Sequence, residues 1–182
     1  MLDRGNRTIN LHVVGALDLA PGQRVLEVGF GGGVGLATVL AHEPLVALSG
    51  VDPSREMVAR CQRRFGDKVA LVQGSVEKLS WPDAAFDRAF GVNVSYFWPD
   101  LEVALAELRR VLGREGLLVL GIRPPETLRR FEFDVIGHRV WTPEQYVQAL
   151  LAAGFVDARA RRMPDDAGGT FVVTARRGDD AS

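Results

Sequence analysis

The stretch Val25-Leu-Glu-Val-Gly-Phe-Gly-Gly-Gly-Val34 decides the fold. Its first half, with Arg24 ahead of it, is a short Val- and Leu-rich run of the kind that forms a strand buried in a sheet. Gly31–Gly33 then makes a loop, and the residues beyond it read as a helix to about His42. A strand, a glycine turn and a helix in that order put the turn at the carboxyl end of a strand, where open α/β sheets bind ligands. Glycines there let the backbone turn sharply and approach a ligand where a Cβ would collide. A tight turn without a ligand is the simpler alternative.

Outward from this unit the chain alternates between short apolar runs and amphipathic stretches, as a parallel sheet with helices on its faces requires. A first helix is predicted from Thr8 to about Leu19, with Pro21-Gly22 turning the chain into the strand Arg24–Gly29. Strands follow at Val46–Asp52, Val69–Gln73 and Phe86–Val92, and a helix opening at Pro53-Ser54 carries Met57, Val58, Cys61 and Phe65 inward. Asp100–Leu112 places Leu101, Ala104, Leu105, Leu108, Val111 and Leu112 on one helical face, and Gly113 is expected to stop it. Gly116–Ile122 is an unbroken apolar strand suited to the middle of a sheet. Thr142-Pro143-Glu144-Gln145 has the pattern of a capping box with proline in the first turn, and that helix should end at Gly154. Two closing strands, about Phe155–Met163 and Thr170–Arg176, are joined by the turn-rich Pro164–Gly169. So short a connection without a helix makes that pair antiparallel. The expected architecture is a three-layer α/β/α Rossmann-like sandwich, its mostly parallel seven-stranded sheet ending in an antiparallel strand.

Composition narrows the class. The 182 residues suffice for one domain with a substantial core, taken as 1–177, with a polar tail at Gly178–Ser182 expected to fray. A net charge of −1 gives no general pull toward nucleic acid or anionic membrane, and neither is an expected partner. The single cysteine, Cys61, can form no internal disulfide; at four-residue spacing from Met57 and Phe65 it reads as a core thiol rather than a nucleophile. The N-terminus has no continuous apolar stretch, and no run approaches membrane-spanning length, so a cytoplasmic setting is the default expectation. The histidines are isolated and the carboxylates do not cluster, so no metal site is expected.

Spacing selects the ligand. A dinucleotide fingerprint needs glycines at i, i+2 and i+5; counting from Gly29, Gly31 or Gly33, the last position falls on Val34, Leu36 or Thr38. An acid followed by glycines at alternate positions is instead met by Glu27, Gly29, Gly31 and Gly33. Here the sequence resembles the class I S-adenosylmethionine (SAM)-dependent methyltransferase family. The resemblance extends to Asp52 at the end of the second strand and to Gly74-Ser-Val-Glu-Lys-Leu-Ser-Trp-Pro-Asp-Ala-Ala-Phe-Asp87. It also covers the helix, turn and strand of Glu107-Leu-Arg-Arg-Val-Leu-Gly-Arg-Glu-Gly-Leu-Leu-Val-Leu120. It implies that the glycine loop wraps the amino-acid and ribose parts of SAM, with Glu27 near the methionyl ammonium and Asp52 accepting the ribose hydroxyls. Asp52 could alternatively cap the following helix. The resemblance further places Phe30, Pro53, Met57, Gly74, Ser75, Val76, Glu77 and Asn93 around the cofactor. Ser75 is a departure: the family commonly has an aspartate there to accept from the adenine amino group. A neutral hydroxyl makes that contact weaker, with backbone groups at Val76 and Glu77 left to read the adenine edge.

The implied reaction is methyl transfer to a small-molecule acceptor, with S-adenosylhomocysteine as product. Such chemistry demands an aligned nucleophile and exclusion of water, and a general base only if the acceptor must lose a proton. The weak catalytic candidates are therefore His12, Tyr96 and His138. Asn93-Val-Ser-Tyr-Phe-Trp98 lacks the Pro-Pro-aromatic pattern of enzymes that methylate nucleobase amino groups or glutamine amides. Tyr96 and Trp98 either pack against the acceptor or cover the core. Arg123–Trp141, with Phe131, Phe133, Ile136 and His138, suits a lid or substrate wall. The short segment ahead of the first strand implies an acceptor pocket that is shallow or completed by a second subunit, which makes a homodimer one expected assembly. Arg159, Arg161, Arg162, Arg176 and Arg177 read as a solvated strand face. The alternatives are a SAM-binding or interaction protein that keeps the fold without turnover, and an NAD-dependent reductase, which the glycine spacing disfavours.

Overall fold

The structure is a computed structural model that describes residues 2–129, 140–164 and 169–179, with side chains from Arg7 onward. In chain order its elements are α1 (Leu2–Ala16), β1 (Arg24–Val28), α2 (Val34–His42), β2 (Ala47–Asp52), α3 (Arg55–Phe65) and β3 (Ala70–Gln73). Then come β4 (Phe86–Val92), α4 (Leu101–Val111), β5 (Leu112–Ile122), α5 (Pro125–Arg129), α6 (Pro143–Ala152), β6 (Phe155–Arg162) and β7 (Phe171–Arg177). Single 3-10 turns at Gly66–Lys68 and Ser95–Phe97 complete the list.

The seven strands form one sheet in the order β3-β2-β1-β4-β5-β7-β6. The first five are parallel, whereas β7 runs antiparallel to both β5 and β6. The reversed strand thus closes the sequence but lies inside the sheet, and β6 forms the edge. Strand order changes direction between β1 and β4, which opens a crevice beyond their carboxyl ends.

Two apolar layers sandwich the sheet. On one face Ile9, Val13, Leu36, Val39 and Cys61 from α1, α2 and α3, with Leu17 just after α1, pack on Val25, Phe90 and Val119. On the other, Leu101, Leu105, Leu108, Tyr146 and Leu150 from α4 and α6 pack on Leu26, Ala89 and Leu118. Alternate residues of one strand therefore serve opposite layers.

Local signals set most boundaries. Asp100 caps α4 by accepting from the Glu102 and Val103 N–H groups, and the Thr142/Gln145 capping box is formed as expected. Three parts of the chain differ from the sequence reading. The first helix starts at Leu2 and ends at Ala16, because Asp18 adopts a left-handed φ of 50° that no helix continues. Gly113 does not stop α4: the chain turns extended at Leu112, which pairs with Phe86 across a register shift, so β5 begins at once and runs eleven residues. Within the Arg123–Trp141 connection, Pro125–Arg129 is a short helix that the sequence reading left out. His138, Phe131, Phe133 and Ile136 lie outside the described residues. Arg109 donates to the Gly178 carbonyl and Arg114 pairs with Asp179, and 180–182 lie outside the described residues.

Candidate functional site

The glycine loop leaves β1 at the point where strand order reverses. The Gly29 N–H donates to the Val51 carbonyl at 2.7 Å and the Gly33 N–H to the Phe30 carbonyl at 2.8 Å. Gly29, Gly31 and Gly33 all take positive φ, of 67°, 48° and 76°. Two of them are also sterically obliged. A Cβ on Gly29 would stand 2.0 Å from Val94 Cγ2, and one on Gly33 would stand 2.9 Å from Cys61 Sγ. Above Gly31 and Gly32, by contrast, no atom lies within 4 Å of the Cβ position. Protein packs the underside and the β4 side of the loop and leaves its outer side open.

Asp52 braces that loop. One carboxylate oxygen accepts from the Gly31 N–H and the other from the Ser54 N–H, both at 2.8 Å. Each oxygen has a second lone-pair direction, so the same carboxylate can receive further donors from a ligand. The capping alternative for Asp52 is met by a neighbour instead: Ser54 caps α3 by accepting from the Met57 N–H. Cys61, fully buried, donates its S–H to the Gly31 carbonyl at 3.4 Å, and burial pushes its thiol pKa up. It is a core thiol that also supports the loop from below.

Glu27 lies beneath α2. Its carboxyl is 3% exposed, accepts from the Leu36 N–H and sits where a Cβ on Gly35 would fall. Gly33, the N-cap of α2, offers no side-chain cap, so the carboxyl of a neighbouring strand serves the helix start. Burial raises the Glu27 pKa well above the carboxylate range, the Leu36 N–H opposes the shift, and the nearby Asp52 adds to it. Glu27 Oε2 has no hydrogen-bond partner among the described residues.

The other residues divide by what their side chains do. Phe30 is buried against Gly50, and Val76 is buried in the α4 layer, so both can face a ligand chiefly through backbone. Pro53 is exposed and Met57 half-buried. The Gly74 N–H donates to the Asp52 carbonyl at 3.1 Å, tying the end of β3 to that of β2. Ser75 is exposed, and its hydroxyl accepts from the Glu77 N–H at 3.3 Å. The Glu77 carboxylate accepts from the Asp100 N–H at 2.8 Å, which fixes this turn to the start of α4. Arg110 and Glu107 of α4 hold the next residues: Glu107 accepts from the Leu79 N–H, and Arg110 donates to the Leu79 and Trp81 carbonyls.

Beyond β4, Asn93 takes a φ of 53° and donates its N–H to the Gly121 carbonyl at 2.8 Å. Tyr96 is buried, its hydroxyl accepts from the Arg123 N–H, and burial pushes its pKa far up. Trp98 is buried in the α4 layer, so of the two readings the core-covering one describes its surroundings. His12 stands apart, in a groove between α1 and the strands β6 and β7. Sequence reasoning did not single out Val94, Gly35 or the buried 2.6 Å bond between the Ser95 and Tyr146 hydroxyls. Each depends on a contact between separate elements that no local pattern announces.

The methyltransferase domain family matches residues 26–120, from within β1 to β5 and just over half of the chain. The chain belongs to this family. Its class is the SAM-dependent, Rossmann-like one that the glycine loop resembles. This methyltransferase is 33% identical over 122 residues to the uncharacterized methyltransferase YdaC of Bacillus subtilis, covering 66% of this chain and 67% of that protein. It is 36% identical over 120 residues to phthiotriol/phenolphthiotriol dimycocerosates methyltransferase 1 of Mycobacterium ulcerans, covering 64% of this chain but 44% of that protein. The methyltransferase therefore aligns with less than half the length of that second relative. In fold it is similar to a chain of the Haloferax volcanii complex between the Trm112 methyltransferase activator and a methyltransferase. The TM-score is 0.87 at 20% identity, over 97% of this chain and 92% of that one.

Proposed function

We propose that the chain transfers a methyl group from SAM to a small-molecule acceptor and releases S-adenosylhomocysteine. The observation that carries this reading is the open outer side of Gly31 and Gly32 beside the Asp52 carboxylate, at the crevice between β1 and β4. The residues present suit a nucleoside bearing a cationic amino acid. The Asp52 carboxylate retains lone pairs that can accept from ribose hydroxyls, the Glu27 carboxyl is the nearby acid for an ammonium, and backbone at Ser75–Glu77 can read the adenine edge. SAM, when bound, supplies an electrophilic methyl group on a sulfonium. The chain's own work is then to grip the nucleoside through Asp52 and the loop, and to hold the acceptor in line while excluding water. Asn93 and its neighbours after β4 stand at the strand end that faces such an acceptor.

Calorimetric titration with SAM, S-adenosylhomocysteine and NAD tests the reading. Binding of the first two without NAD is expected; binding of NAD alone, or of none, overturns it. A second reading, a SAM-binding protein without turnover, has one observation in its favour. The Tyr96 hydroxyl accepts from the Arg123 N–H and burial pushes its pKa far up, which keeps it protonated and ill suited to take a proton from an acceptor.

A further inference from the structure

Two features that the proposed function leaves unused meet in one place. A groove of about 790 Å³ runs between α1 and the outer strands, and its walls include His12 from α1 together with Arg159 and Arg161 from β6. Strand periodicity explains the meeting. Ala158 and Ala160 pack against the α4/α6 layer, which turns Arg159 and Arg161 to the opposite face, toward α1. That helix packs on β4, β5 and β7, leaving the edge strand's face open to solvent.

Three arginines elsewhere in the chain have carboxylate partners that these two lack among the described residues. Arg24 is paired with Asp87 at 2.7 Å, Arg110 with Glu107 at 2.7 Å and Arg114 with Asp179 at 2.8 Å. Arg159 makes one bond among the described residues, from Nε to the Thr174 hydroxyl at 3.3 Å, which orients its fork. Arg161 and His12 make no hydrogen bond or ion pair among the described residues. Among the described residues no carboxylate lines this groove, and the acids Asp18 and Asp157 line the adjoining one with Arg159 and Arg176.

We infer that this groove is a binding site for a small ligand carrying a diphosphate or comparable two-ended phosphate group, separate from the glycine-loop crevice. Guanidinium forks match phosphate oxygens with paired, directed N–H donors. Two forks at i and i+2 of a strand lie about 7 Å apart, a span that suits an anion with two charged ends rather than a single carboxylate. His12 adds a third nitrogen donor from the facing wall, and Leu11 and Met163 give an apolar surface for the organic part. The groove volume falls within the range of small-molecule sites, roughly 300–1,000 Å³.

Inorganic pyrophosphate is the probe, titrated calorimetrically into the full chain at low ionic strength. Saturable one-to-one binding is expected, with the His12 ring resonances moving during the titration. Arg159→Gln/Arg161→Gln should bind at least about tenfold more weakly, and Arg161→Gln alone by a few-fold, as fits the loss of charge-assisted bonds. Arg161 has no partner among the described residues, so the single variant keeps its fold, as an unchanged melting curve will verify. Arg114→Gln, a control for bulk charge, should bind as wild type, and saturating SAM should leave the affinity unchanged. Absence of saturable binding, equal affinity in the double variant, equal loss in Arg114→Gln, or displacement by SAM overturns the inference. The first three outcomes leave SAM binding untouched and the last requires it, so the two proposals fail separately.

Discussion

The Glu27 carboxylate and Gly35 occupy complementary space: a Cβ on Gly35 would stand 2.1 Å from Glu27 Oε1. A carboxyl group from β1 is thereby seated beneath the first turn of α2, and the helix must leave out a side chain to admit it. Gly35→Ala should expel the carboxyl or splay the helix, an overpacking cost of about 1–3 kcal/mol. Thermal unfolding should register it as a fall in Tm of roughly 2–4 °C per kcal/mol. A change below one degree would mean that Glu27 has room to move aside.

Glu27→Gln should move stability and affinity in opposite directions. The folded-state pKa of Glu27 is raised by burial, whereas the unfolded carboxyl titrates near 4.3. Stability is therefore full below that value and falls as pH rises through the folded pKa, because unfolding releases a proton that the native state holds. The amide carries no such penalty. The variant should melt above wild type at pH 8, with the gap closing toward pH 4, while SAM binding weakens by about tenfold, or ~1.4 kcal/mol. Melting curves that run parallel from pH 4 to 9 would contradict this.

Asp52→Ala removes a ribose acceptor and the brace on the Gly31 and Ser54 N–H groups together. SAM affinity should fall by on the order of 1–3 kcal/mol, the scale for hydrogen bonds to a charged group. Asp52→Asn keeps one acceptor and should lose less stability than Asp52→Ala. Calorimetry with undiminished affinity in either folded variant would place the ribose contact elsewhere.

Arg110 gathers the 79–84 segment onto α4. It pairs with Glu107 at 2.7 Å, reaches the Leu79 and Trp81 carbonyls, and accepts the Ala84 N–H on its own carbonyl. Its bond to Asp83 counts for little, since that carboxylate is 76% exposed. Arg110→Ala should cost about 1–3 kcal/mol, and Arg110→Lys should recover only part because lysine lacks the fork. The guanidinium holds Glu107 below the usual carboxylate range. That contribution is present above the unfolded pKa and is lost as pH falls through the folded one, so the Tm gap between wild type and Arg110→Ala should narrow under acid. A gap that widens below pH 4 would refute the assignment.

The strands were legible because each is a compact apolar run, and the capping box at Thr142 because both partners lie within four residues. The limits of α1 and α4 were less so. Asp18 ends one by adopting a left-handed φ, and Leu112 ends the other by pairing with Phe86, a contact between distant parts of the chain. The glycine spacing and Asp52 announced the crevice, since close backbone approach demands glycine in any setting. Glu27 was recognisable as an acid of the motif, but its seat under Gly35 was not, because the two meet only once β1 and α2 have packed. Tyr96 and Trp98 were ambiguous for the same reason: an aromatic after a strand looks alike whether it covers a core or a ligand.

The insertion of β7 between β5 and β6 imposes an order on assembly. During translation β6 emerges before the strand that joins it to the rest, so residues 155–162 have no ladder to join until residues 171–177 have been made. A nascent chain halted in between would carry an orphaned edge, and quality control of this protein should be most sensitive to stalling in that interval.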